Sequence, residues 1–368
     1  MSYQYLKKSS SKITITLPSS IDSAHVSTFI NEIAQLNLDS IASDKSKYIL
    51  LDARTINWIE PYASLLIIAT LNSLQRKCND LEIDVKSYKI QNFNGYAEHI
   101  GFYNAISLPY GKEIGVAPGS DSYIPIHKWI KTELEKEAKD KHILVQQLLE
   151  EEAYTLSKTL NYHNNFPDTS KSMGFALFEI LRNVYEHSES ETLWCCAQVW
   201  PQKDKLEIAV VDEGIGIKKS LASNKAYNDG KDNVGSILFA LQPGVSKSYR
   251  PRKKHNPFSD NDDNAYANSG FGLYLTSQVC KDIGKFKICS VGNQVQLWKD
   301  NKPKITKLNF NGTGICININ LSKLDQFMEL KKQYLSIGEA EIKHKPNVIK
   351  EASAASKTIG PISKRFDF

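Results

Sequence analysis

From Lys171 to His187, apolar residues fall at Met173, Ala176, Leu177, Ile180, Leu181 and Val184, a spacing of three and four that predicts an amphipathic helix. Its polar stripe carries Glu179, Asn183 and His187 four residues apart, so these side chains rise along one side of the helix with a slow angular drift. Leu206-Glu-Ile-Ala-Val-Val211 reads as a buried strand that runs directly into Asp212 and the turn Gly214-Ile-Gly216. After Gly270-Phe-Gly272, the apolar positions Tyr274, Leu275, Val279 and Ile283 fit a helix that opens at the glycines. In the first third, Lys12 to Leu17 alternates as a strand does, Tyr48 to Asp52 reads as a fully buried strand, Ala63 to Cys78 as a helix and Leu81 to Val85 as a third strand. Strands alternating with helices predict an α/β (α+β) chain that begins with a small α/β layer.

The polar residues within these elements carry the candidate chemistry. A carboxylate on a helix can orient an attacking water, and an amide oxygen one turn away is a hard ligand suited to Mg²⁺ with bound phosphates. A carboxylate at the end of a core strand can accept a hydrogen bond from an exocyclic amine such as that of adenine, while glycines beside it let the main chain approach a flat base and sugar. N–H groups at a glycine-rich helix start suit phosphate oxygens. Singly, each segment also reads as a solvated helix face or an ordinary turn. Their order, with about thirty and then nearly sixty residues between them, is what those readings do not reproduce.

In this order the segments resemble the nucleotide-binding boxes of the GHKL superfamily: DNA gyrase B subunits, heat-shock chaperone ATPases, MutL mismatch-repair proteins and histidine kinases. The resemblance covers residues 140 to 322 or so. It implies the Bergerat fold, an α/β sandwich in which a mixed sheet carries helices on one face and ATP lies under a mobile lid. It implies further that Glu179 is the general base, that Asn183 coordinates Mg²⁺, and that Asp212 binds adenine. Gly214, Gly216, Gly270 and Gly272 would shape the pocket, and Thr313, just before an expected strand from Ile315 to Leu321, would help hold adenine through water.

Between Gly216 and Gly270 the chain is polar and aperiodic, with Lys247, Arg250, Arg252, Lys253 and Lys254 followed by Asp260, Asp262 and Asp263. Such composition predicts a long mobile lid, in which Arg250 or Lys253 is a candidate to meet the terminal phosphate. None of the upstream histidines His25, His99, His127, His142 and His163 has the context of a phosphoacceptor, which argues against a histidine autokinase. Some forty-five residues follow Leu321, too few for the transducer domain of gyrase-like ATPases. What remains is a compact ATP domain similar to that of the anti-sigma-factor serine kinases, with a longer lid. The stretch from Leu50 to Leu66 resembles the central strand-loop-helix of STAS domains, the fold of anti-sigma-factor antagonists. Where those carry a phosphorylatable serine, this chain has Glu60-Pro61-Tyr62-Ala63, so a constitutive sensing or docking surface is expected there.

Length adds domain organisation: 368 residues exceed the usual single core, which predicts a STAS-like domain at 1–115 and a GHKL-type ATP-binding domain at 123–335. Gly111 to Ser122 is the expected linker, Lys131 to Lys141 a solvated helix, and 339–368 a disordered tail. The balance of 46 basic and 41 acidic residues argues against a specific nucleic-acid partner. Six scattered cysteines without a C-x-x-C pair argue against zinc or a disulfide framework, and the neighbours Cys195 and Cys196 should point to opposite faces of a strand. The first residues lack the apolar core of a signal peptide, and the longest apolar run, Ala63 to Leu71, is too short to span a membrane; a cytoplasmic location is expected. The expected activity is Mg-ATP binding with slow hydrolysis as a conformational switch, acting with a protein partner or as a homodimer. The alternatives are a serine/threonine protein kinase of the anti-sigma type and an ATP-binding interaction module without turnover.

Overall fold

The computed structural model describes residues 4–91, 93–160, 167–227, 230–249, 269–349 and 351–358. The chain is α+β. Its first sheet orders four strands β1 (Leu6–Lys8), β2 (Lys12–Thr16), β3 (Tyr48–Asp52) and β4 (Val85–Ser87); β1 and β2 are antiparallel, and the other pairs are parallel. Helices α1 (Val26–Ile33) and α2 (Pro61–Asp80) accompany it. The strand expected at Leu81–Val85 starts only at Val85 because the end of α2 occupies the preceding residues. Glu82 takes a left-handed φ of 55°, Ile83 N–H donates to the Cys78 carbonyl (2.8 Å) and Glu82 N–H to that of Asn79 (3.1 Å), which is a Schellman cap.

The second sheet has five strands, β5 (Tyr123–Ile130), β6 (Thr192–Trp200), β7 (Lys205–Asp212), β8 (Gly284–Trp298) and β9 (Lys304–Ile319), in the order β8-β9-β7-β6-β5, antiparallel throughout. Helices α3 (Lys131–Asp140) and α4 (Val145–Thr159) precede α5 (Pro167–His187), which carries Glu179 and Asn183. The strand β7 is apolar without alternation because the sheet is covered on both faces. Ile208 and Val210 join the core with α5, whereas Ala209 and Val211 join the core with α2. Cys195 and Cys196 divide in the same way, as the strand pattern requires.

Within the described part of the stretch expected as an aperiodic lid, the chain forms the helices α6 (Gly216–Ala222) and α7 (Asn233–Ala240). Asp232 caps α7 by accepting from Gly235 N–H (2.6 Å), and Ile237 and Leu241 anchor its apolar side in the core. The helix itself contains no charged residue; the charges that make the segment polar lie before and after it. Helix α8 (Gly272–Ile283) opens at the glycines as expected. Thr313 does not precede a strand; it lies within β9, opposite Asp212 on one side and Ser290 on the other.

The chain then forms α9 (Phe327–Ile342), so the segment expected to be disordered from residue 339 begins inside a helix. Its described part continues packed, with Val348, Ala352 and Ser356 buried, and forms the short α10 (Ala354–Lys357). Among the described residues, no helix is long and apolar enough to cross a membrane.

Candidate functional site

A cleft of about 660 Å³, counted out to its mouth, lies between α5, α6, the start of α8 and the sheet. Asn183 and His187 line it from α5, Gly216 and Ser220 from α6, Lys247 and Gly270 from the segment before α8, and Asp212, Thr313 and Ile315 from the sheet.

Asp212 stands at the end of β7, paired with Leu193 on one side and Thr313 on the other. It is 1% exposed. Its Oδ1 accepts from Gly214 N–H (2.8 Å), closing an Asx turn, while Oδ2 is buried and makes no hydrogen bond among the described residues. Burial pushes the Asp212 carboxyl up to about 7, against the pull of the neighbouring main-chain N–H groups.

The turn after Asp212 is held against α5. Ile215 N–H donates to the Ser188 carbonyl (2.8 Å), and a Cβ on Gly214 would stand 2.0 Å from that same oxygen, so only glycine fits. Gly270 has φ +71°, and a Cβ there would meet the Val245 carbonyl oxygen at 2.4 Å.

Asn183 uses its amide nitrogen to donate to the Glu179 carbonyl (2.6 Å), which fixes the side chain along α5. Burial lowers the pKa of His187 to about 3, so its ring is neutral. At Lys247, desolvation lowers the pKa while the carboxylates of Glu189 and Glu186 oppose it.

Glu179 does not line the cleft. It is fully buried behind it, with Oε2 accepting from Arg182 Nη2 and Oε1 from Ser356 Oγ (3.3 Å). Burial raises its pKa, and the charges of Arg182 and Lys331 oppose the rise. Gly272 packs on the same carboxylate: a Cβ there would lie 1.7 Å from Oε2. Its place is therefore the crossing of α8 over α5.

The fold thus brings Asn183, Asp212, Gly216, Gly270 and Thr313 around one cavity, puts Gly214 in the turn supporting it, and sets Glu179 and Gly272 in a buried cluster behind. Arg250 and Lys253 lie outside the described residues. Sequence reasoning passed over Ser220, Arg182, Lys331 and Ser356. Of these only Arg182 had a local signal, a lone cation in an apolar helix run three residues from Glu179. Compared with protein-family models and with curated proteins, the chain matches none.

Proposed function

We propose that this chain binds Mg-ATP in the cleft and hydrolyses it slowly, using the nucleotide as a conformational switch toward a protein partner or a second copy. The observation that carries the reading is Asp212: a buried carboxylate oxygen at a strand end, bordering a cavity and lacking a hydrogen bond, matches the exocyclic amine of adenine. Support comes from the resemblance of the three boxes to GHKL proteins and from the glycine turn at the head of α8, whose first N–H groups suit phosphate oxygens. Asn183, which lines the cleft, would hold Mg²⁺ through its amide oxygen together with those phosphates. Slow turnover fits the seat of Glu179, which is buried behind the cavity with its two oxygens held by Arg182 and Ser356. Six free, buried cysteines fit the reducing cytoplasm.

Titration with a fluorescent ATP analogue in the presence of Mg²⁺ tests the reading. Asp212→Asn can turn an NH₂ toward the amine and should weaken binding roughly ten- to a hundredfold, the loss of a charged hydrogen bond worth about 1.5–3 kcal/mol. Equal affinity in a folded variant would remove Asp212 from the site. One observation favours a second reading, protein serine kinase activity: the hydroxyl that reaches Glu179 belongs to a serine of this chain.

A further inference from the structure

The buried cluster behind the cleft joins Glu179 and Arg182 of α5, Lys331 of α9 and Ser356 of the C-terminal segment. Ser356 Oγ donates to one oxygen of Glu179 (3.3 Å) across 177 positions of sequence, and Arg182 holds the other oxygen. The segment is fixed on both sides of that hydroxyl. Beyond it, Lys331 Nζ donates to the Thr358 carbonyl (2.5 Å) while resting 3.6 Å from the centre of the Phe175 ring. Before it, Ser353 Oγ accepts from Ser269 Oγ (3.4 Å), the residue next to Gly270. The segment that carries Ser356 is thereby tied to the residue preceding Gly270, and Gly272 packs directly on the carboxylate that Ser356 touches.

A hydroxyl on a carboxylate that a third group orients is the arrangement of a nucleophile with its base. We propose that Ser356 is a phosphoacceptor in cis. Glu179 takes the proton from Ser356 Oγ as the bond from Oγ to the γ-phosphorus forms, and the bond from that phosphorus to the β,γ-bridging oxygen breaks. The products are phosphoserine and ADP, and Glu179 returns its proton to solvent. The step rests on the ATP reading of the cleft, which supplies the phosphoryl donor. The ordinary alternative is that Ser356 only satisfies a buried carboxylate.

The full chain is incubated with Mg-ATP and followed by intact-mass spectrometry and phosphopeptide mapping, with binding of a fluorescent ATP analogue measured in parallel. One phosphate should appear on Ser356, at a rate unchanged when the protein is diluted. Ser356→Ala should lose it, Ser356→Thr should retain it, and Glu179→Gln should slow it by about 10²–10⁴, the range of general-base catalysis, with analogue binding kept in all three. Nucleotide bound without phosphate on Ser356 overturns this inference alone, as does phosphate that maps elsewhere and persists in Ser356→Ala. A rate that rises with protein concentration overturns transfer in cis. Failure to bind the analogue at all overturns the inference together with the reading of the cleft.

Discussion

At the scale of single residues, Asp212 sets function against stability. Its carboxyl ionises near pH 3.8 when exposed and is pushed up to about 7 in the fold. Between those values the folded state holds a proton that the unfolded chain has lost. The resulting contribution is full below about pH 4 and is lost as pH rises through 7, leaving at pH 8 a buried charge that the neighbouring main-chain N–H groups compensate only in part. Asp212→Asn keeps an oxygen for Gly214 N–H and removes that charge. It should melt higher than the native chain at pH 8, by an equivalent on the order of 1–3 kcal/mol, and close to it near pH 4. Circular-dichroism melts at the two pH values check this, and a variant less stable at pH 8 would contradict the burial account. Nucleotide affinity of the native chain should rise through pH 7, because the ionised carboxylate is the better acceptor for an amine; titrations at pH 6 and pH 8 give the sign. Asp212 and Asn183 were legible in the sequence because strand end, turn and helix spacing are local signals. The surroundings of Glu179 were not, because its hydroxyl partner arrives from 177 positions away.

At the scale of elements, the crossing of α8 over α5 depends on the missing side chain of Gly272. An added Cβ would meet Glu179 Oε2 at 1.7 Å, and that oxygen is already committed to Arg182. Gly272→Ala should therefore cost roughly 1–3 kcal/mol by overpacking. In a Glu179→Ala background the contacts with Oε2 and Cδ disappear and only the one with Cβ, at 3.1 Å, remains, so the same substitution should cost markedly less. Urea denaturation of the four variants measures the coupling, and a cost undiminished in that background would assign the strain to some other contact. Gly272 stood out in the sequence as half of a G-x-G, but its partner did not, since the approach of two helices is not written in either one. The periodic helices α2, α5 and α8 were legible from spacing alone. Helix α7 has its own signal in Val234, Ile237, Leu238 and Leu241, at helical spacing, but it is short and the polar composition of the longer segment around it outweighs that signal. The late start of β4 follows from a left-handed Glu82, a conformation that its residue type does not announce.

At the scale of the molecule, one sheet separates two cores, and α2 joins the first third of the chain to the back of the candidate site. Tyr62 N–H donates to Glu207 Oε1 (3.0 Å) at one end of the helix, and Arg76 pairs with Glu213 at the other. From Tyr62 to Arg76 a helix advances about 21 Å, and from Glu207 to Glu213 a strand advances about 20 Å, so α2 runs along the length of β7. Between these ends, Leu66 and Tyr62 pack over Gly314, next to the Thr313 that lines the cleft from the opposite face. The longest apolar run in the sequence lies in this helix, which told of burial on more than one side without revealing that a strand more than a hundred residues later supplies the second cover. Because Trp194, Cys196, Ala209 and Val211 belong to the same core as α2, neither half can expose that face to water cheaply. The chain should therefore unfold in one calorimetric transition. Leu66→Ala, at a fully buried position, should lower that transition by an equivalent of about 2–5 kcal/mol. Loss of the first sheet and loss of analogue binding should then shift together, whereas a fragment that starts at residue 123 should self-associate through the uncovered sheet face. Two transitions of which Leu66→Ala moves only one, or a monomeric fragment with native affinity for the analogue, would show that the two cores fold independently.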